Sequence, residues 1–244
     1  MMKILFCALL FSSYVLAFEA GDGSMKKIKT ADSVDANIFL VRSSEPTKNF
    51  LFLFHEWWGL NDNIKQEARK LQKALPKVNV VAVDLYDGKV TDDPKTAGEY
   101  VQQMNPERAA SIIKGAIAYA GSGAKIASLG WCFGGGWSLQ SALLEEHQAA
   151  GCVIYYGMPE KNIERLKTLQ CNVLGIFGTQ DGSITPQIVK EFENNMKEAK
   201  KKLEVRNYNA PHAFANPSNP KYDKTKTEDA YKHTMAFLKK SFGL

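Results

Sequence analysis

The sequence predicts an α/β fold in which a mostly parallel sheet is covered by helices on both faces. Three observations carry this expectation. Short apolar runs alternate with helix-patterned segments as far as the C-terminus, the order that βαβ units produce. The runs are apolar throughout instead of alternating with polar residues, as strands buried on both faces must be. The chain has 244 residues, 45% hydrophobic and 23% charged, an ordinary globular composition. At that length folding buries roughly 70 to 75% of the unfolded surface, so no metal or disulfide framework is needed.

The N-terminal stretch places Lys3 before an apolar run from Ile4 to Leu16, followed by Ala17 with Val15 two residues before it. The run is shorter than the roughly 20 residues of a membrane span, and it ends in small residues. Residues 1–17 are therefore expected to be a cleaved signal peptide, with the mature protein periplasmic or secreted and free of membrane. A single domain is expected over 24–244, because no repeat, linker or shift in composition divides the chain.

The elements follow in order. A short β-hairpin is expected from Lys26–Thr30 and Asn37–Val41. The apolar runs then lie at 50–54, 78–85, 124–130, 152–157, 172–178 and 203–208. Helical periodicity falls near 62–75, 93–120 with a break at Pro106, 132–147, 160–169, 185–201 and 226–240.

A formal net charge of +5 is too mild to demand a nucleic-acid partner. The densest basic run, "KEAKKK" at 197–202, closes a helical pattern, where cations suit the carbonyl end of the helix dipole. Of the four cysteines, Cys7 falls in the signal peptide. Cys132, Cys152 and Cys171 remain. The odd count admits a Cys152–Cys171 disulfide with Cys132 free, though two buried free thiols are the favoured reading.

In open α/β sheets functional groups gather beyond the carboxyl ends of the strands. "SLGWCFGGGWS" (128–138) places Cys132 there in a G-x-C-x-G pattern with Gly130 and Gly134, the spacing of a nucleophile elbow with sulfur in place of oxygen. Asp181 follows a later strand in "GTQDGS", and His212 follows the last in "NAPHAF". A thiol needs a base within hydrogen-bond reach, and that base needs an acceptor to fix its tautomer. His212 and Asp181 fit those roles. The N–H of Phe133, next after the nucleophile, is expected as one oxyanion donor, and Trp57, after an earlier strand, as the source of the other.

Each residue also has a plainer reading. A cysteine in a glycine-rich turn is more often packing than chemistry, and only the ordered Asp and His reverse that. His147 and His233 read as surface residues. His55 borders the proposed pocket, but a structural hydrogen bond is favoured for it. Trp57, Trp58 and Trp137 fit either core or pocket wall.

The stretches "HEWWGLNDNIK", "AVDLYDGK", "GWCFGGGWS", "CVIYYG", "GTQDGSI" and "APHAF" resemble, in order and over essentially the whole mature chain, the dienelactone hydrolase (carboxymethylenebutenolidase-like) family of α/β-hydrolases. The resemblance implies the α/β-hydrolase fold and hydrolysis of an ester or lactone through an acyl-enzyme, with Cys132, Asp181 and His212 as the triad. It also implies that Glu56 interacts with the resting thiol and takes part in its activation. Taken by itself, a carboxylate there is an additional proton acceptor that would raise a neighbouring thiol's pKa while ionised. Trp58, Tyr86, Lys89 and Phe214 are expected to contribute to the substrate pocket. Two departures stand out. Where the family holds a substrate carboxylate with arginines, this chain has Gly88 and Asn216, and the neighbouring Lys89 cannot reproduce a guanidinium fork. These departures count against dienelactone itself, and the paired tryptophans suit less charged substrates.

The expected function is thus a cysteine-dependent hydrolase of carboxylic esters or lactones, a monomer acting on a small molecule. No metal or organic cofactor is expected, since the histidines lack ligand spacing and no phosphate-cradling loop is present. A non-catalytic or redox-sensitive binding protein on the same fold is the alternative, with a thioesterase or amidase behind it. Class I glutamine amidotransferases share G-x-C-x-G but end their triad in H-x-E, and here Phe214 stands two residues past His212.

Overall fold

The computed structural model describes residues 22–244; the expected signal peptide, 1–17, lies outside the described residues. Eight strands form one sheet in the order β1-β2-β4-β3-β5-β6-β7-β8. They are β1 (Ser24–Ile28), β2 (Ala36–Val41), β3 (Asn49–Phe54), β4 (Asn79–Val83), β5 (Lys125–Trp131), β6 (Ala149–Tyr155), β7 (Val173–Gly178) and β8 (Leu203–Tyr208). β1 and β2 make the expected hairpin, and β2 meets β4 antiparallel. All pairings from β4 through β3 to β8 are parallel.

Seven helices cover the two faces: α1 (Asp62–Ala74), α2 (Pro94–Gln103), α3 (Pro106–Ala120), α4 (Phe133–Leu144), α5 (Ile163–Lys167), α6 (Pro186–Glu198) and α7 (Lys224–Phe242). Within β3, Leu51 and Leu53 pack with Ile64, Leu71 and Leu238 of α1 and α7. Phe50, Phe52 and Phe54 point the other way, onto Ile112 and Ile113 of α3. The strand is apolar throughout because it has a core on each side. Helix starts are set by side-chain caps: Asn61, Asp93, Asn105, Asn162, Thr185 and Asp223 each accept a backbone N–H. The expected break at Pro106 is a helix boundary, with proline in the first turn of α3 and Asn105 as its cap.

Arg108 on α3 joins distant segments. Its Nη2 donates to Asp87 Oδ1 at 2.6 Å and its Nη1 to Asp32 Oδ1 at 3.0 Å. It also donates to the carbonyls of Val34 and Asp35. One planar guanidinium thereby fixes the β1–β2 turn to the segment after β4.

All three described cysteines are free thiols, so the Cys152–Cys171 disulfide does not form. Cys152 is fully buried, 3.4 Å from Ser138 Oγ, and burial pushes its pKa up to about 12. Close by, Glu145 is buried at the end of α4 and accepts from Ser141 Oγ at 2.7 Å. Its other carboxyl oxygen has no hydrogen-bond partner. Burial, only partly offset by the Ser141 hydroxyl, pushes its pKa from 4.5 up to about 8.

This shift predicts a pH-dependent stability. Between those two values the folded chain keeps a proton that the unfolded chain releases, so stability falls as pH rises, by up to about 1.4 kcal/mol per unit. Glu145→Gln removes that contribution. Urea unfolding is expected to show the variant gaining on the parent between about pH 5 and about pH 8, and a constant difference would refute the assignment.

Candidate active site

β5 ends at Trp131 and α4 begins at Phe133, leaving a single residue, Cys132, to turn the chain. It does so at φ 55° and ψ −118°, a conformation that costs an L-residue on the order of 1–3 kcal/mol. The turn is held by the hydrogen bond from Cys132 N to Tyr155 O at 2.9 Å. The flanking glycines are required by space. A Cβ on Gly130 would sit 2.0 Å from Gly134 O, and one on Gly134 would sit 2.2 Å from Phe54 O. The strand, the helix and β3 cross with backbone against backbone, and the sulfur is left at the top of the sheet.

Two further loops bring the other groups to it. The segments after β7 and β8 are zipped together by Thr179 N to Tyr208 O at 2.8 Å and Gln180 N to Ala210 O at 3.0 Å. They carry Asp181 and His212. His212 Nδ1 lies 2.6 Å from Asp181 Oδ2, and its Nε2 lies 3.0 Å from Cys132 Sγ. Asp181 is itself buried, and its Oδ1 accepts from Ser183 N at 2.7 Å and Ile184 N at 2.9 Å. Burial works against its charge, but the bonds from His212, Ile184 and Ser183 leave its pKa lowered overall. Burial likewise works against an imidazolium at His212. The hydrogen bonds to Asp181 and Cys132, with their charges, overcome it and raise the pKa to about 10. The geometry is that of a sulfur, an imidazole and a carboxylate in series.

His55 is a structural residue. It is fully buried; Nδ1 donates to Glu56 O at 2.6 Å and Nε2 accepts from Leu85 N at 3.1 Å. Burial pushes its pKa down to about 4, so the ring stays neutral while tying the loop after β3 to that after β4. That tie places Glu56 and Trp57.

The thiol faces His212, and Glu56 Oε2 accepts from Asn216 Nδ2. Burial raises Glu56 to about 7, against the opposing influence of His212 and Asn216. Asn216 therefore engages an acidic side chain of the site, a contact the sequence reading did not anticipate.

Cys132 and His212 open onto a cavity of about 710 Å³ whose wall includes Trp57, Phe133, Trp137, Tyr156, Met158 and Ile184. Trp57 and Phe133, expected from the sequence as oxyanion donors, both line the cavity, and Trp137 proves to be wall. Four expected pocket residues lie outside it. Trp58 braces Trp57 edge-on at 4.9 Å. Tyr86 is buried between His55 and Phe133. Lys89 is exposed, over the Tyr100 ring. Phe214 is fully buried against Tyr156 and Tyr208, because Ala213 turns at φ 58° and sends the next side chain into the core. Tyr156 was missed, although it stands just past the end of β6, where the strand-end rule points. It packs edge-on against His212 at 5.1 Å. Among the described residues no cluster of three or more His, Cys, Asp or Glu is arranged to hold a metal.

Comparison with known proteins agrees with this architecture. The chain is 26% identical over 250 residues to the "Putative carboxymethylenebutenolidase" of Saccharolobus solfataricus, covering 86% of this chain and 96% of that one. It is 30% identical over 133 residues to the carboxymethylenebutenolidase of Pseudomonas sp. strain P51, covering 52% and 55%. The crystal structure of P91, a dienelactone hydrolase-like promiscuous phosphotriesterase from metagenomic libraries, superposes with a TM-score of 0.78 at 20% identity, over 91% of this chain and 100% of that one. This is the α/β-hydrolase fold. The model of the dienelactone hydrolase family matches residues 37–242, and the chain belongs to that family of hydrolases.

Proposed function

We propose that the protein hydrolyses carboxylic esters or lactones through a thioester acyl-enzyme on Cys132. The observation that carries the reading is the unbroken series from Cys132 Sγ through His212 to Asp181, at 3.0 and 2.6 Å, opening onto a cavity. Hydrogen bonds to Asp181 and Cys132 favour a proton on His212, and the attacking form of Cys132 is its thiolate. Sulfur attacks the carbonyl carbon, and the carbonyl π electrons move onto oxygen. Phe133 N–H begins α4 and has no helical carbonyl one turn back to bind. With Trp57 N–H it receives the oxyanion. As the intermediate collapses the C–O bond breaks, and His212 gives its proton to the departing alkoxide. Water then loses a proton to His212 and adds to the thioester carbon, releasing the carboxylic acid and restoring the thiolate–imidazolium pair. Glu56, with a pKa near that of neutral solution, is a second proton acceptor on the same side of the site.

Cys132→Ala and His212→Gln are expected to lower kcat/KM for p-nitrophenyl acetate by on the order of 10⁴-fold or more with the fold retained, and Asp181→Asn by a comparable factor. Full activity in Cys132→Ala would end the mechanism. Alkylation provides a readout independent of turnover. Iodoacetamide is expected to react with the parent's Cys132 at about pH 6 at least about tenfold faster than with the His212→Gln variant. Equal rates would remove the ion pair from the scheme.

Glu56 gives a separate prediction. Its carboxyl is neutral below about 7 and charged above, and an acceptor works only when charged; as a second acceptor for the proton of the hydrolytic water it serves deacylation, so kcat is expected to rise through that value. In Glu56→Gln that inflection is expected to vanish while the pH dependence of the Cys132–His212 pair persists. An unchanged profile would remove Glu56 from the proton transfers.

A further inference from the structure

Resting on the hydrolase reading above, we infer that the site selects neutral substrates with an apolar acyl group of aryl or medium-chain size, and discriminates against acyl groups that end in a carboxylate. The acyl group is the part that stays. It is bonded to Cys132 Sγ through both halves of the reaction while the alcohol leaves after the first, so the wall around the sulfur is the wall it must fit.

That wall is apolar well beyond the reacting atoms. Phe133, Trp137, Tyr156 and Ile184 line it together with the sulfur. Val101 and Met158 also line the cavity and are 38% and 49% exposed. Solvent-facing apolar side chains continuous with a concave apolar wall are what a hydrophobic ligand covers. About 710 Å³ exceeds what an acetyl group needs and admits a ring or a chain of several methylenes.

The charges of the wall point the same way. Besides His212, which pairs with Asp181 and Cys132, the charged residues lining the cavity are Glu160 and Lys161. Lys161 Nζ lies 3.8 Å from Glu191 Oε2. Glu160 is engaged by Arg165, by Gln140 Nε2 and by the N–H groups of Lys161 and Asn162. Arg165, which reaches the wall through Glu160 and Gln140, is thus already committed to a carboxylate. An incoming carboxylate would surrender its hydration to tryptophan and methionine and meet no guanidinium, with Glu56 beside His212 adding negative charge above about pH 7.

The test is a series of p-nitrophenyl esters given to the thiol-reduced protein: acetate, hexanoate, phenylacetate and hemiglutarate. A fully buried methylene is worth about fourfold. The hexanoate and phenylacetate kcat/KM values are expected to exceed that of acetate by at least about tenfold, and hemiglutarate to fall at or below acetate. Met158→Glu and Trp137→Ala are expected to shrink the hexanoate-to-acetate ratio several-fold, chiefly through KM. If hemiglutarate matches or exceeds hexanoate, or if the series is flat, the inference fails while Cys132-dependent hydrolysis of acetate still upholds the hydrolase. Hydrolysis of no member, with Cys132 reduced and open to iodoacetamide, overturns the hydrolase reading and the inference with it.

Discussion

The site depends on one close crossing of backbone, where β5 passes into α4 beneath β3. Gly130, Gly134 and the carbonyl of Phe54 stand too near one another for any side chain to intervene. Cys132 must therefore turn within a single residue, in the left-handed region. The strain is sustained because both partners are rigid: β5 is a central strand paired on each side, and α4 is packed on the sheet. A looser junction would let the helix drift and lower the sulfur into the core. The same crossing sets α4's N-terminus against the sulfur, so the backbone that is strained is also the backbone that can receive an anion.

The remaining groups arrive on independent loops, and each loop is fixed by bonds that take no part in chemistry. The β7 and β8 segments are zipped by main-chain bonds, which brings Asp181 and His212 together before any side-chain bond forms. The β3 and β4 loops are joined by the neutral His55 ring, and Arg108 anchors the far side of the β4 segment through Asp87. Separate anchoring leaves these side chains little freedom to reorganise, as a preorganised polar site requires.

Most of this was legible in the sequence wherever local physics decides it. Strand positions followed from apolar runs, helices from their periodicity with the break at Pro106, and the candidate reacting groups from their place past strand ends. Legibility ended where direction depends on distant partners. Phe214, two residues past His212, was expected in the pocket, but Ala213 between them takes a positive φ and Phe214 packs in the core. Lys89 and Tyr86 follow a strand end as His212 does, yet the turn after β4 sends one to solvent and the other under Phe133. Arg108 is separated from Asp32 by 76 residues, and nothing in the pattern around either marks the pairing. The Glu56–Asn216 bond spans 160 residues; Asn216 could be noticed as an absent arginine but not as a donor to Glu56.

The three described thiols show how one residue type is divided between chemistry and packing. Cys132 follows β5 and Cys152 lies within the adjacent β6, yet their surroundings differ in kind. Cys152 has the hydroxyls of Ser138 and Ser128 and apolar side chains around it, with the buried Glu145 nearby, and all but the hydroxyls disfavour an anion. Cys171 is pushed the same way by burial, then by Cys152 and Glu145. Cys132 alone among them touches an imidazole, whose pKa is raised, against the cost of burial, by its hydrogen bonds to a buried carboxylate and to the sulfur. On the hydrolase reading proposed above, the loops after β7 and β8 are what set Cys132 apart from the other two described thiols, because they bring an imidazole to its sulfur.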